Sequence, residues 1–346
     1  MTGLSFHLIG IVTAVLVVSK LLKLIAIYLL PSRIHQFAHR SAPDGDEKER
    51  EAWALVTGAS DGIGLAFAHE LAAAGFNVVL HGRNASKLLQ VADSLHTQYP
   101  RRSFRFVVAD ASNSSVDFAA IREEVRDLHL TVLINNIGGG PRDPRFVALD
   151  DETASEEQLA GTVSLNALFP LHLTRALLPL LKHNSSASKP ALVLNISTLV
   201  DSGAPFLASY SASKALVMAL TRAVRWELLI EKQERERAQQ KKEEGTRLSG
   251  GGGVEILGVR VGKTTSADGL RDAPSLFMPD ARAVARAALA KAGYGHGIVV
   301  AHWAHALQFY ANACVVALAP RWVGDALLMG AMRRMRDLER EEKKAS

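Results

Sequence analysis

Cysteine is nearly missing from this chain: Cys314 is the only one, so no internal disulfide can form, which fits a domain facing a reducing compartment. Aromatic residues make up only 6% of the 346 residues, and 40 Lys and Arg stand against 35 Asp and Glu, a net +5 spread along the chain. A nucleic-acid surface needs clustered basic residues, commonly with stacking aromatics, so that class has little support. No metal site is expected. The chain also lacks an unbroken uncharged run of about 20 apolar residues, the length that spans a bilayer core. Leu4 to Leu30 comes nearest but is interrupted by Lys20 and Lys23 and closed by Pro31. Either the whole stretch tilts or the lysines snorkel to the interface. No basic residue precedes it and no small-residue cleavage site comes after it, which disfavours a signal peptide. The expectation is an uncleaved N-terminal membrane helix over residues 1–30 and a basic, polar linker over 31–51. Basic residues are absent before Lys20 and present at Arg33, Arg40, Lys48 and Arg50, which places the chain beyond residue 30 in the cytosol.

What is present begins at Trp53-Ala54-Leu55-Val56-Thr57, an apolar run suited to a buried parallel strand, followed by Gly58-Ala59-Ser60-Asp61-Gly62-Ile63-Gly64 and a helical stretch from Leu65 to Ala74. In such a turn Gly58 can take positive φ, Gly62 lets backbone approach a pyrophosphate, and Gly64 allows close helix packing, with the helix N-terminus favouring the anion. Phe76 to His81 reads as a second strand. Where a carboxylate would meet the hydroxyls of an adenosine ribose there is Gly82-Arg83 instead. Arg83 suits a 2′-phosphate and so NADPH, although a solvated loop arginine also fits. Phe104 to Val108 is a third strand ending near Asp110, a candidate partner for the adenine amine, and Thr131 to Ile134 a fourth, ending in Asn135-Asn136-Ile137-Gly138.

Farther on, Tyr210 and Lys214 stand one helical turn apart in Tyr210-Ser211-Ala212-Ser213-Lys214. An ammonium beside a phenol favours its ionised form, so a group with an ordinary pKa of about 10 can exchange a proton near neutrality. Taken alone, the pair also fits a half-buried tyrosine with a snorkelling lysine. The upstream glycine turn favours the chemical reading.

These motifs, in this order, resemble the short-chain dehydrogenase/reductase family over roughly residues 52–300, through Thr57 to Gly64, Asp110, Asn135 to Gly138, Asn166, Ser197, Tyr210 and Lys214. The resemblance implies a Rossmann-type doubly wound parallel α/β sheet of about seven strands. It also implies that Tyr210 donates a proton to a substrate carbonyl and that Ser197 hydrogen-bonds the carbonyl oxygen. Lys214 would hold the nicotinamide ribose and tune Tyr210, and Asn166 would order a water in the proton relay. The cofactor-binding set is then Gly58, Ser60, Asp61, Gly62, Ile63, Gly64, Arg83, Asp110, Asn136, Tyr210, Lys214 and Thr264, with Lys263 an alternative to Thr264.

Within that family, Asn77 to Leu80, Leu130 to Asn136, Ala204 to Lys214 and Trp303-Ala304-His305-Ala306 look like the membrane-bound very-long-chain 3-oxoacyl-CoA reductases, whose relatives include 17β-hydroxysteroid dehydrogenases. That implies an acyl-CoA substrate, an endoplasmic-reticulum membrane, a cytosolic catalytic domain and other elongation enzymes as partners. Residues 301–346 are expected to be a membrane-associated segment and a charged tail. Lys343-Lys344-Ala345-Ser346 resembles a dilysine retrieval signal. The chain departs from the subgroup in a charged insert at residues 231–253, which reads as a helix extension and flexible loop ending in four glycines, and in Val261-Gly262-Lys263-Thr264-Thr265, where a Pro-Gly is usual. The departures leave room for a steroid or specialised-metabolite ketone. A non-catalytic scaffold fits poorly with retention of Asn166, Ser197, Tyr210 and Lys214. Phe146, Phe206, Leu207, Leu276 and Phe277 are candidate pocket residues, and Arg142, Arg145 and Arg271 candidate partners for substrate phosphates.

Overall fold

Seven β-rich apolar runs form one parallel sheet: β1 (Ala52–Thr57), β2 (Asn77–Gly82), β3 (Phe104–Val108), β4 (His129–Asn135), β5 (Ala191–Thr198), β6 (Val254–Val261) and β7 (Ile298–Val300). The computed structural model describes residues 11–346 apart from 13, 16, 17, 20, 21, 23, 42–48, 140–145, 153, 241–252, 266–272 and 346. The strand order is β3-β2-β1-β4-β5-β6-β7. The winding direction reverses between β1 and β4, and in open sheets of this kind the crevice beyond the strand ends at that reversal is where ligands bind. The helices are α1 (Gly62–Ala73), α2 (Ala85–Gln98), α3 (Phe118–Glu124), α4 (Glu156–Val163), α5 (Phe169–His183), α6 (Ala208–Gln240), α7 (Ala281–Leu289), α8 (Trp303–Leu318) and α9 (Arg321–Ala345).

The strands read as nearly continuous hydrophobic runs because helices cover both faces of the sheet. Successive residues feed alternate cores: Ala54, Val56, Leu192 and Leu194 pack on one side with Phe67 and Leu71 of α1 and Val284 of α7. Trp53, Leu55, Ala191 and Val193 pack on the other with Leu173, Leu177 and Leu181 of α5. Each large aliphatic or aromatic side chain buried in this way contributes about 1.5–3 kcal/mol. Among these, Leu71, Leu173, Leu177 and Leu181 are wholly buried.

One sequence expectation changes. Part of residues 31–51 is docked on the domain: Ile34 and Phe37 are buried, Thr131 Oγ1 donates to the Phe37 carbonyl at 2.7 Å, and His39 Nε2 lies 2.9 Å from the Pro190 carbonyl. Just before it, Lys291 Nζ donates to the Ile27 carbonyl at 2.7 Å, and burial pushes this ammonium down to about 8. The insert begins, as its sequence reads, as a helical extension: α6 continues through Gln240, anchored by Glu231, which accepts from Lys182 at 2.6 Å and pairs with Arg235 at 2.9 Å. Among the described residues no helix is long and apolar enough to cross a membrane. Much of Leu4 to Leu30 lies outside the described residues, while the described part is helical, with Ile11, Val15, Leu22, Ile25 and Leu29 exposed. The C-terminal helix starts at Arg321, well before the charged run that sequence alone marks, because Pro320 interrupts one apolar helix and starts the next.

Candidate active site

The glycine turn between β1 and α1 has the backbone its sequence predicts. Gly58 and Gly62 hold φ of +66° and +53°, which side chains rarely tolerate. A Cβ on Gly64 would collide with the Gly58 carbonyl oxygen and lie 2.7 Å from Asn136 Nδ2. This close-packed turn, opening onto the first N–H groups of a 12-residue helix, is the cradle a pyrophosphate needs. Ser60 and Ile63 are half-buried in it. Asp61 has a structural task here: its carboxylate caps α1 by accepting from Gly62 N at 2.8 Å and pairs with Lys87 Nζ at 2.8 Å.

Asn136 likewise ties the frame together. Its Nδ2 donates to the Thr57 carbonyl at 3.0 Å, while Thr57 Oγ1 accepts from the backbone N–H groups of Asn136 and Ile137. β1 and β4 are thereby knotted where the winding reverses. Beneath lies a wholly buried relay in which Asn135 Nδ2 donates to Asn195 Oδ1 and Asn195 Nδ2 donates to Thr221 Oγ1, both at 2.8 Å. Sequence reasoning missed Thr57, Asn195 and Thr221 as site supports. The available signal was a polar residue inside an otherwise apolar strand, which is costly unless hydrogen-bonded.

Just after β2 Arg83 is exposed, and beyond β3 Asp110 accepts from the N–H and hydroxyl of Ser112 at 3.0 and 2.7 Å. A cleft of about 220 Å³, lined by Val107, Ala109, Asp110, Val116 and Ile121, lies alongside. His81 is buried against the Phe169 ring, and burial pushes its imidazole down to about 4.

The candidate catalytic residues come from three elements. Asn166 occupies a π-helical turn, Ser164–Leu168, between α4 and α5; such turns re-aim side chains and recur at functional sites. Its Nδ2 donates to the Gly139 and Thr162 carbonyls at 2.6 and 2.8 Å, and its Oδ1 accepts from Gly139 N at 3.0 Å. Lys214, buried on α6, sends its ammonium to the Ile196 carbonyl at 3.2 Å and the Ile137 carbonyl at 3.5 Å. Gly138 joins the two, since a Cβ there would collide with Lys214 Nζ and lie 2.7 Å from Asn166 Oδ1. Tyr210 is half-buried one turn before Lys214.

Ser197 ends β5 with its hydroxyl buried. Its single hydrogen is shared between Asp201 Oδ2 and the Lys214 carbonyl, each at 3.3 Å. Asp201 is in turn held by Arg260 Nε at 2.7 Å. Neither Asp201 nor Arg260 was marked by sequence reasoning, because Ser197↔Arg260 is a register pair across β5 and β6 that no linear spacing reveals.

Among the candidate pocket residues, the Phe206 carbonyl accepts from Val147 N at 3.0 Å, and Phe206 holds φ of 65°, a strained conformation for a bulky residue. α9 covers this corner: Glu339 accepts from Phe146 N at 3.1 Å, and the Arg336 guanidinium stacks 4.5 Å from the Phe206 ring. Leu207 is half-buried nearby, whereas Leu276 and Phe277 are exposed. Thr264 is buried and turns its hydroxyl back to the Gly262 carbonyl at 3.0 Å. Arg142, Arg145 and Arg271 lie outside the described residues, and so do the side chains of Lys343 and Lys344.

The sequence profile described as short chain dehydrogenase matches residues 52–232, and the chain belongs to that family of oxidoreductases. More particularly, it is 30% identical over 309 residues to a very-long-chain 3-oxoacyl-CoA reductase of Emericella nidulans, covering 85% of this chain and 80% of that protein. A reductase of the same name from Ajellomyces capsulatus is 29% identical over 349 residues, covering 97% of this chain and 92% of its own. Among solved structures, a 7β-hydroxysteroid dehydrogenase superposes with a TM-score of 0.63 at 20% identity, over 81% of this chain and 96% of that one. A short-chain dehydrogenase from Sphingobium yanoikuyae in complex with NADPH gives 0.57 at 21% identity, over 76% and 93%. At such identities the shared property is the fold.

Proposed function

We propose that this protein uses NADPH to reduce the 3-keto group of a long or very-long-chain 3-oxoacyl-CoA to the 3-hydroxyacyl-CoA, as a step of fatty-acid elongation at the endoplasmic-reticulum membrane. The observation that carries the reading is the convergence of Asn166 and Lys214 on Gly138, with Tyr210 on the next helical turn and Ser197 at the neighbouring strand end. The curated relatives supply the substrate class by resemblance.

The glycine cradle, the uncharged end of β2 and exposed Arg83 suit a phosphorylated dinucleotide, and the cleft beside Asp110 suits its adenine. NADPH supplies the hydride that reaches the ketone carbon. Tyr210 gives its phenolic proton to the ketone oxygen, completing the alcohol. Lys214, already anchored by two backbone carbonyls, keeps a positive charge beside the phenolate left behind. Ser197 exchanges one of its present acceptors for the substrate oxygen. Asn166, fixed by three hydrogen bonds to Gly139 and Thr162, would help order a water that resupplies the proton.

The membrane reading draws on the apolar side chains exposed near the N-terminus and on Trp303, Leu307, Leu318 and Trp322 in the C-terminal helices, a pattern that suits an interfacial surface. The catalytic domain is then cytosolic, and co-purification with other elongation enzymes is expected. A steroid or specialised ketone is the second reading, favoured by the departure at Val261 to Thr265.

Gly64→Ala is expected to weaken NADPH binding by more than about tenfold, because the added methyl pushes the Gly58 carbonyl and the Asn136 amide away from the start of α1. Titration followed by NADPH fluorescence measures this, and unchanged affinity would remove the turn from cofactor binding. The function itself is tested by following NADPH oxidation in detergent-solubilised protein with a long-chain 3-oxoacyl-CoA, and with a steroid ketone in parallel. Turnover of the thioester supports the elongation reading; turnover of the steroid alone moves the protein to the second.

A further inference from the structure

Beyond β6 the chain passes through Gly262-Lys263-Thr264, beside the end of β5 that carries Ser197; Thr198 pairs in register with Val261, and Leu199 N donates to the Val261 carbonyl at 3.1 Å. This turn is gripped by one side chain from the C-terminal helix α8, outside the region matched by the family profile. His305 is wholly buried. Its Nδ1 accepts from Gly262 N at 3.1 Å, so its Nε2 carries the hydrogen and donates to the Lys263 carbonyl at 3.1 Å. The bond accepted at Nδ1 requires the neutral ring. Burial accordingly holds this imidazole below its ordinary value, against the opposing effect of the Lys263 carbonyl.

The glycine and the histidine fit each other. A Cβ at 262 would lie 2.7 Å from His305 Cδ2 and 3.0 Å from both Cγ and Nε2, so the ring rests on the backbone where other residue types have no room. The Gly262 carbonyl then accepts the Thr264 hydroxyl, so the imidazole fixes Gly262, and Gly262 fixes Thr264. The same helix also touches the other arm of the site, with the Phe309 ring 5.2 Å from the Arg260 guanidinium that holds Asp201.

We propose that His305 is a positioning residue of the active site: its imidazole clamps the Gly262–Lys263 turn and so sets the wall against which the nicotinamide end of NADPH is held. This rests on the reductase reading above. Helix α8 is therefore part of the site's frame as well as a candidate membrane-facing element.

The test uses the full-length, detergent-solubilised protein and two readouts that need no turnover. Hydrogen exchange of the segment around residues 262–264 is measured without cofactor, and the NADPH dissociation constant by fluorescence, for wild type, His305→Phe and His305→Gln. The phenyl ring keeps the bulk and loses both hydrogen bonds, so exchange should quicken about tenfold and NADPH bind about tenfold more weakly, as expected for the loss of a hydrogen bond or two. The glutamine amide retains an acceptor and a donor and should restore affinity to within about threefold of wild type. Faster exchange with unchanged NADPH affinity would make His305 a packing residue only and overturn the proposal, as would no change in either readout. Should His305→Phe fail to fold, Gly262→Ala displaces the same turn with the imidazole intact and is expected to weaken NADPH binding equally; wild-type affinity in that variant overturns the clamp. Failure of wild type itself to bind NADPH sinks the reductase reading and this inference with it, and that result is separable from all the others.

Discussion

Tyr210→Phe is expected to lower kcat/KM for the ketone by about 100-fold to 10,000-fold while leaving NADPH affinity within a factor of two or three, the range a general acid contributes. The phenyl ring keeps the packing of a half-buried side chain, so the change isolates the hydroxyl. Loss is expected in kcat more than in KM, because the proton is delivered only as the carbonyl oxygen gains charge. NADPH oxidation by absorbance and NADPH binding by fluorescence separate the two quantities. More than a tenth of wild-type activity in the variant would exclude Tyr210 as the proton donor. An equal collapse of NADPH binding would assign it a role in holding the cofactor.

Arg83→Ala carries the second large effect, and it falls on cofactor choice. β2 ends in His81-Gly82 with no carboxylate, and the Arg83 side chain is exposed where the adenosine ribose of a dinucleotide would lie. A charge-assisted bond to a 2′-phosphate contributes about 1.5–3 kcal/mol, which is roughly 10-fold to 150-fold in affinity. KM for NADPH should rise by that factor while KM for NADH stays nearly constant. The wild-type preference should also shrink as salt is added, since an exposed pair is screened. Equal losses with both cofactors would mean that Arg83 supports the turn without reading the phosphate. Lys87, one turn into α2, is engaged with Asp61 at 2.8 Å and does not provide an obvious substitute charge unless that pair opens.

The site was legible in sequence wherever chemistry is confined to one short segment. Gly58, Gly62 and Gly64 disclose a turn because only glycine tolerates positive φ or so close a backbone contact, and the structure has that turn. Tyr210 and Lys214 share a helix face through periodicity alone. The bounds of β3 also agree with the sequence reading, because it is a short β-rich run bounded by polar segments. The sequence also has Gly82-Arg83 and no carboxylate just after β2.

Other features depend on what lies across the fold. Asp61 reads as part of a cofactor turn, yet it caps α1 and pairs with a lysine 26 positions away. Residues 34–37 read as linker, yet Ile34 and Phe37 are buried because the Phe37 carbonyl meets Thr131 of β4. Asp201 and Arg260 meet only because β5 and β6 pair in one register, and His305 reaches Gly262 only because β7 brings α8 back beside the sheet end. Local backbone preference and helical or strand periodicity act over a few residues, so the sequence by itself determined the glycine turn, the strand runs and the Tyr210–Lys214 face. The partners of Ser197, the docking of the N-terminal segment and the clamp on the turn after β6 are contacts between distant segments, and sheet register and helix packing, which exist only in the folded chain, decided them.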